Sequence, residues 1–137
     1  MTRKSAAILA VLALALAPAA LAGKGGNGGK PGGGSSSLVL VVLDPDDGGA
    51  NYGEQVTFSV STTATAYPYV DLICYQNGVG VMESWRGFFP TSLSSQIFTL
   101  GPTSLWQGGA ADCTAYLKMS TKQGWSTLAS TSFHVYA

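Results

Sequence analysis

The chain has 137 residues, which is room for one domain, and its seven basic and seven acidic side chains give a formal net charge of zero. Four of the basic residues precede residue 38, so residues 38–137 carry three basic and seven acidic side chains and a net charge of −4. This distribution argues against nucleic acid as a partner, because binding a phosphate backbone needs clustered Lys and Arg.

Residues 1–22 have the layout of a secretory signal peptide. Arg3 and Lys4 form a basic start, an apolar run of 12 residues covers positions 6–17, and Ala-Leu-Ala ends the segment. A membrane-spanning helix would need about 20 apolar residues. We therefore predict a Sec signal that is cleaved after Ala22, a secreted protein, and no membrane span in the mature chain.

Residues 23–37 are rich in glycine and serine and offer almost nothing to a hydrophobic core. Such a segment cannot offset the entropy of ordering it, so the sequence predicts a flexible linker. Two roles remain open for it. It is either a tether, with Lys24 and Lys30 near an anionic surface, or a spacer that keeps the cleavage site accessible.

Residues 38–137 predict short β-strands that are separated by turns. Apolar and polar residues alternate in several of these strands, and Asn77-Gly78 is a hairpin signal. The segment SWRGFFPT at 84–91 reads as a loop, and no helical periodicity persists after residue 22. The predicted strands are 38–43, 55–61, 69–77, 79–83, 96–100, 108–119 and 127–136. This pattern predicts an all-β, monomeric domain with two antiparallel sheets and about seven strands.

The alternation also predicts which side chains face the core. The inward set comprises Val56, Phe58, Val60, Val70, Leu72, Cys74, Ala111, Cys113, Ala115, Leu117, Phe133 and Val135. The intervening residues of the same strands should face outward.

The strand spacing resembles that of an immunoglobulin-like or fibronectin-III-like β-sandwich, with strands A, B, C, C′, E, F and G in that order. Phe58 falls in strand B, Cys74 in strand C and Cys113 in strand F, while Asp112 and Tyr116 keep the four-residue spacing of the family's strand-F signature. The resemblance covers residues 38–137 and implies an architecture rather than an activity. The run from Phe98 through Trp106 to Ala115 is also similar to small secreted bacterial proteins of unassigned function.

Cys74 and Cys113 are the only cysteines, and an even count behind a signal peptide predicts a disulfide bond. Immunoglobulin domains pair a strand-B cysteine with strand F, but Phe58 occupies strand B here. Because strands C and F are neighbours in the family, the resemblance implies that the bond joins adjacent strands of one sheet.

The best binding candidates are Trp85, Arg86, Phe88 and Phe89 in the predicted loop, because aromatic residues and arginine dominate interface hot spots. The alternative is that Phe88 and Phe89 plug one end of the sandwich while Trp85 covers the edge of the core.

A second candidate surface is the outward face of strands C and F, with Ile73, Tyr75, Thr114 and Tyr116. Trp106 and Trp125 would suit stacking on sugar rings if they are exposed, although tryptophans of sandwiches are commonly buried.

Metal binding is not predicted. Asp44, Asp46 and Asp47 form an acidic stretch, but Gly48 and Gln55 replace two ligands of an EF-hand loop, so a turn is the better interpretation.

No catalytic set is evident either. His134 is the only histidine and is predicted to face outward, and there is no GxSxG motif. We predict no catalytic residue and no cofactor.

The sequence therefore favours a secreted, non-catalytic binding or adhesion module that contacts an unidentified protein or glycan at a cell surface. One alternative is a cell-wall-directed hydrolase that uses Asp71 and Glu83 as an acid and base pair. Another is a structural decoration domain of an envelope or phage surface.

Overall fold

The computed structural model of the chain describes residues 35–44 and 48–137, which contain eight β-strands and no helix. The strands are β1 (Ser36–Val42), β2 (Ala50–Asn51), β3 (Gln55–Thr62), β4 (Tyr69–Gln76), β5 (Val79–Gly87), β6 (Phe98–Thr99), β7 (Ala111–Thr121) and β8 (Gly124–Tyr136). The all-β class predicted from the sequence is confirmed.

The strands form two sheets in a sandwich-like arrangement. One sheet has three strands in the order β1-β3-β6, and the other has five in the order β2-β8-β7-β4-β5. All pairings are antiparallel except that of β2 with β8, which is parallel. β5 is therefore an edge strand, with β4 as its neighbour.

The inward-facing residues of the two sheets form one core. The fully buried side chains include Val56, Val70, Leu72, Phe98, Leu117 and Val135, as well as Trp106 from the loop between β6 and β7. Every residue of the predicted inward set is buried or packs against this core. The period of two in the sequence thus predicted the two inner faces correctly.

Cys74 and Cys113 lie directly opposite each other on β4 and β7 and are joined by a disulfide bond. Their Cα atoms are 4.0 Å apart, as in a closely spaced pair of an antiparallel ladder. The predicted bond between adjacent strands of one sheet is confirmed.

Two predictions need correction, and one strand was not predicted. The predicted loop at 84–91 is wrong in its first half, because residues 84–87 continue β5 and pair with β4 as far as Tyr69. The predicted strand 96–100 is reduced to Phe98–Thr99, since only two residues there pair with β3. β2 was not predicted, because two residues are too few to show an alternation of apolar and polar side chains.

Two turns depend on backbone conformations that glycine adopts easily. Asn77 and Gly78 both have positive φ, 51° and 81°, in the predicted hairpin between β4 and β5. Gly101 has φ 79°, and a Cβ there would lie 2.5 Å from the ring of Tyr52. Gly101 therefore lets the loop after β6 pass close to that ring.

The predicted signal peptide and most of the predicted linker lie outside the described residues, as do Asp46 and Asp47 of the acidic stretch. β1 begins at Ser36, two residues before the predicted start of the domain. Within the described residues, no helix is long and apolar enough to cross a membrane.

Candidate functional site

Five aromatic rings form a continuous band on the outer face of the five-stranded sheet, on the side away from the core. We call this surface the aromatic band; its members are Tyr67, Tyr69, Trp85, Phe89 and Trp125. Consecutive centroids are 5.3 Å apart from Tyr67 to Phe89, 5.4 Å from Phe89 to Tyr69, 5.3 Å from Tyr69 to Trp125 and 5.0 Å from Trp125 to Trp85.

The register explains how residues far apart in sequence meet in the band. Trp85 lies opposite Asp71 on β4, and Trp125 lies opposite Ser120 on β7, so both indoles project from the outer face. Phe89 is the second residue after the end of β5, and Tyr67 is the second residue before the start of β4. The band therefore collects side chains from three strands and two connections.

Three rings of the band are substantially exposed. The exposed fractions are 61% for Tyr67, 52% for Trp125 and 37% for Trp85. Exposed aromatic residues that lie in contact mark interaction surfaces more often than scattered apolar residues do.

Asp71 lies on the same outer face but is 99% buried, because its neighbours across the sheet cover it. Trp85 and Tyr116 are its direct partners on β5 and β7. Lys118 Nζ is 3.0 Å from Asp71 Oδ2 and lies over the rings of Trp85 and Tyr116, at 4.8 Å and 5.3 Å from their centroids. Asp71 and Lys118 thus form a charged pair between the two rings, which we call the polar centre.

Glu83 completes this polar centre on β5. Its Oε2 accepts a hydrogen bond of 3.1 Å from Trp85 Nε1, which fixes the indole. Its carboxyl group also interacts with that of Asp71. Two acids, one lysine and two large rings therefore share one small area of the sheet.

Burial of the Asp71 carboxyl raises its pKa from the usual 3.8 to about 6. The nearby Glu83 carboxyl raises this pKa in the same direction, whereas Lys118 lowers it. Oδ1 of Asp71 is buried and has no hydrogen-bond partner.

The free energy of unfolding of the wild-type protein should fall relative to that of Asp71→Asn as the pH rises from about 4 to about 6. Because this pKa is raised in the folded state, the folded protein binds more protons than the unfolded chain in that window. The stabilisation from Asp71 is therefore present at low pH and is lost as the pH rises. Two pKa units correspond to at most about 3 kcal/mol. Urea denaturation between pH 4 and pH 8 measures the difference.

Asp112→Asn is the matched control for this measurement. Asp112 is exposed and pairs with the exposed His134, at 2.8 Å from Asp112 Oδ1 to His134 Nδ1, and such surface pairs contribute little. Parallel pH curves for wild type and Asp71→Asn would contradict the burial of Asp71.

The structure separates the four candidates of the predicted loop. Trp85 and Phe89 belong to the aromatic band, whereas Arg86 and Phe88 face inward. Phe88 stacks on Phe98 of the core at 6.3 Å, and the Arg86 guanidinium lies 5.8 Å from the Phe98 centroid. The interpretation as a plug is correct for Phe88 but wrong for Phe89, which contacts Tyr67 and Tyr69 instead.

Tyr116 borders the polar centre, while Tyr75 lies further along β4, beside a groove of about 490 Å³. Ile73 and Tyr75 form one wall of this groove, and Leu105 is part of the other. Thr103 Oγ1 donates a 2.6 Å hydrogen bond to the Val81 carbonyl, which holds the loop with Leu105 against β5. The groove continues the outer face beyond Glu83, which also lines it.

The two other tryptophans occupy opposite environments. Trp106 is fully buried, donates from Nε1 to the Gly109 carbonyl at 3.0 Å and contacts the Tyr52 ring at 5.3 Å. Trp125 is exposed and belongs to the aromatic band. Of the two, only Trp125 is placed to stack on a ligand.

The structure places Asp71 and Glu83, the acid and base pair of the hydrolase alternative, in the same polar centre. Glycosidases hold their two carboxyl groups about 5 to 9.5 Å apart, with both facing the scissile bond. Asp71 is instead buried and paired with Lys118, whereas Glu83 is exposed. Within residues 35–44 and 48–137, no group of three or more His, Cys, Asp or Glu side chains is arranged to hold a metal ion.

Sequence reasoning missed Tyr67, Tyr69 and Lys118. The alternation of β4 does place Tyr69 on the outer face, and Tyr67 is two residues earlier, so an aromatic pair at that end was a usable signal. The position of Lys118 beside Asp71 depends on the register between β4 and β7, where Tyr69 lies opposite Lys118.

Comparison with known proteins gives no relative: no protein-family model, curated protein or solved structure matches the chain.

Proposed function

We propose that this chain is an exported, non-catalytic binding module that contacts its ligand through the aromatic band. The observation that carries the proposal is a set of five rings in mutual contact on one outer sheet face, three of them with large exposed fractions. Exposed aromatic carbon is unfavourable in water, and aromatic side chains dominate binding hot spots.

The rigidity of the band supports a binding role. Each ring is held by at least one neighbour, and Trp85 is also fixed by Glu83 and covered by Lys118. Side chains that are already ordered lose little entropy when a ligand binds. The disulfide bond ties β4 to β7 in the sheet that carries the band.

The strand arrangement supports an immunoglobulin-like type within this proposal. With β1, β3 and β6 as strands A, B and E, and with β5, β4, β7 and β8 as C′, C, F and G, the neighbours match those of the family. The aromatic band then lies on the outer face of the C′-C-F-G sheet.

Export is supported by the disulfide bond as well as by the layout of residues 1–22. Disulfide bonds persist in oxidising compartments and are rare in the cytosol. The buried pair of Cys74 and Cys113 is therefore consistent with a protein that acts at a cell surface or in the medium.

Replacing Trp85 and Trp125 together by alanine should weaken binding by at least about thirtyfold, or about 2 kcal/mol, because two exposed rings of the band are lost. The measurement is binding of purified, fluorescently labelled protein to a panel of bacterial, fungal and plant cell envelopes.

Leu93→Ala is the control, since Leu93 is fully exposed outside the band and should bind like wild type. Binding that survives the double substitution unchanged would show that the band is not the ligand surface. Failure of the wild-type protein to bind any envelope would count against the proposal as well.

A further inference from the structure

The chemistry of the aromatic band identifies the class of ligand that fits it. All five members are aromatic, whereas exposed aliphatic side chains lie elsewhere, such as Val39 and Val41 on β1, Val79 at the start of β5, and Leu105 beside the groove. A sugar ring presents an apolar face of C–H groups that packs on aromatic rings, and its hydroxyl groups project around that face. A surface of rings beside polar groups is complementary to both features.

The polar groups of the site are placed for hydroxyl groups. Glu83 is exposed, and Trp85 uses only one of the roughly four acceptor positions of its carboxylate. The positions that neither Trp85 nor Asp71 uses are able to accept from sugar hydroxyls next to the Trp85 ring. The centres of protein–protein interfaces are instead depleted in charged residues such as Lys and Glu.

The charge of the site favours a neutral ligand. Lys118 is already paired with Asp71, so its charge is compensated within the protein. Residues 38–137 carry a net charge of −4, which disfavours acidic polysaccharides and anionic membranes. A neutral polymer meets no such repulsion.

The length of the site favours an extended chain. From Tyr69 to Tyr75 the outer face of β4 extends over about 20 Å, and it runs from the aromatic band past Glu83 to the groove beside Leu105. β-Linked sugars with equatorial substituents form extended chains of flat rings, whereas α-linked glucans curve.

We propose that the aromatic band and the adjoining groove bind a neutral, β-linked polysaccharide, with sugar rings stacked on Trp125 and Trp85 and hydroxyl groups bonded to Glu83. This inference rests on the proposed function, because it names the ligand of the same surface.

Isothermal titration of the purified full chain with cellohexaose and with the hexamer of β-1,4-linked N-acetylglucosamine tests the inference. At least one of the two should bind at least tenfold more tightly than maltohexaose, the α-linked control. Trp125→Ala should weaken that binding at least tenfold and Glu83→Gln severalfold, while Leu93→Ala should leave it unchanged. Tyr67→Ala offers a second test of the band if Trp125→Ala does not fold.

Several outcomes would overturn the inference. These are no binding of either β-linked hexamer at millimolar concentration, equal binding of maltohexaose, or binding that neither Trp125→Ala nor Tyr67→Ala weakens. If the hexamers fail to bind but the double substitution of Trp85 and Trp125 still abolishes binding to cell envelopes, the glycan assignment falls while the proposed function stands. If the double substitution has no effect on envelope binding, both fall.

Discussion

Replacing Cys74 and Cys113 together by alanine should destabilise the domain by about 4 kcal/mol, the stabilisation expected for a closed loop of about 40 residues. The two residues are 39 positions apart, and both are buried. For a domain of about 100 residues this loss lowers the melting temperature by roughly 15 to 30 °C. Thermal unfolding followed by circular dichroism measures the change.

The matched control replaces a pair of hydroxyl residues on the same sheet. Thr114 and Ser132 lie opposite each other on β7 and β8 and share a 2.8 Å hydrogen bond on the exposed face. Thr114→Ala with Ser132→Ala should cost about 1 kcal/mol or less. A cysteine variant that melts within a few degrees of wild type would contradict a structural role for the bond.

Trp106→Ala should destabilise the domain by about 3 to 5 kcal/mol, because it opens a large cavity in the core. Trp106 is fully buried and has a hydrogen-bond partner for its indole nitrogen. Its carbonyl also accepts a 3.2 Å hydrogen bond from the Tyr52 hydroxyl. Since small domains are stable by only about 5 to 15 kcal/mol, this loss is a large fraction of the total. Chemical denaturation measures it.

Trp125→Ala is the control for Trp106→Ala. Trp125 is half exposed, and its ring contacts Tyr69 and Trp85 of the aromatic band, so its removal should cost about 1 kcal/mol or less. Equal losses of stability for the two variants would contradict the assignment of Trp106 to the core and Trp125 to the ligand surface.

Much of the fold was predictable because β-strands repeat every two residues. The alternation of Val70, Leu72 and Cys74 specified the inner face of β4, and that of Ala111, Cys113 and Ala115 specified the inner face of β7. The disulfide bond followed from the cysteine count together with the resemblance to a sandwich. These features depend on local pattern and on a family-like strand order.

The candidate site was less predictable because it depends on register and on side-chain volume. Alternation placed Asp71 on the outer face, where exposure is the ordinary expectation, but Trp85, Tyr116 and Lys118 cover it. Trp85 itself was assigned to a loop, because the mixed sequence after Glu83 hides the continuation of β5. The alternation of apolar and polar residues does not predict that Trp125 and Trp85 are in contact across the sheet.

Nuclear magnetic resonance of the three indole N–H groups tests whether the aromatic band is the binding surface. The chain has three tryptophans, so wild type gives three indole signals, which the single substitutions of Trp85, Trp106 and Trp125 assign. During titration with a β-linked hexasaccharide, the signals of Trp85 and Trp125 should shift and saturate together while that of Trp106 stays in place. Unchanged Trp85 and Trp125 signals in the presence of bound ligand would contradict the claim that the aromatic band is the binding surface.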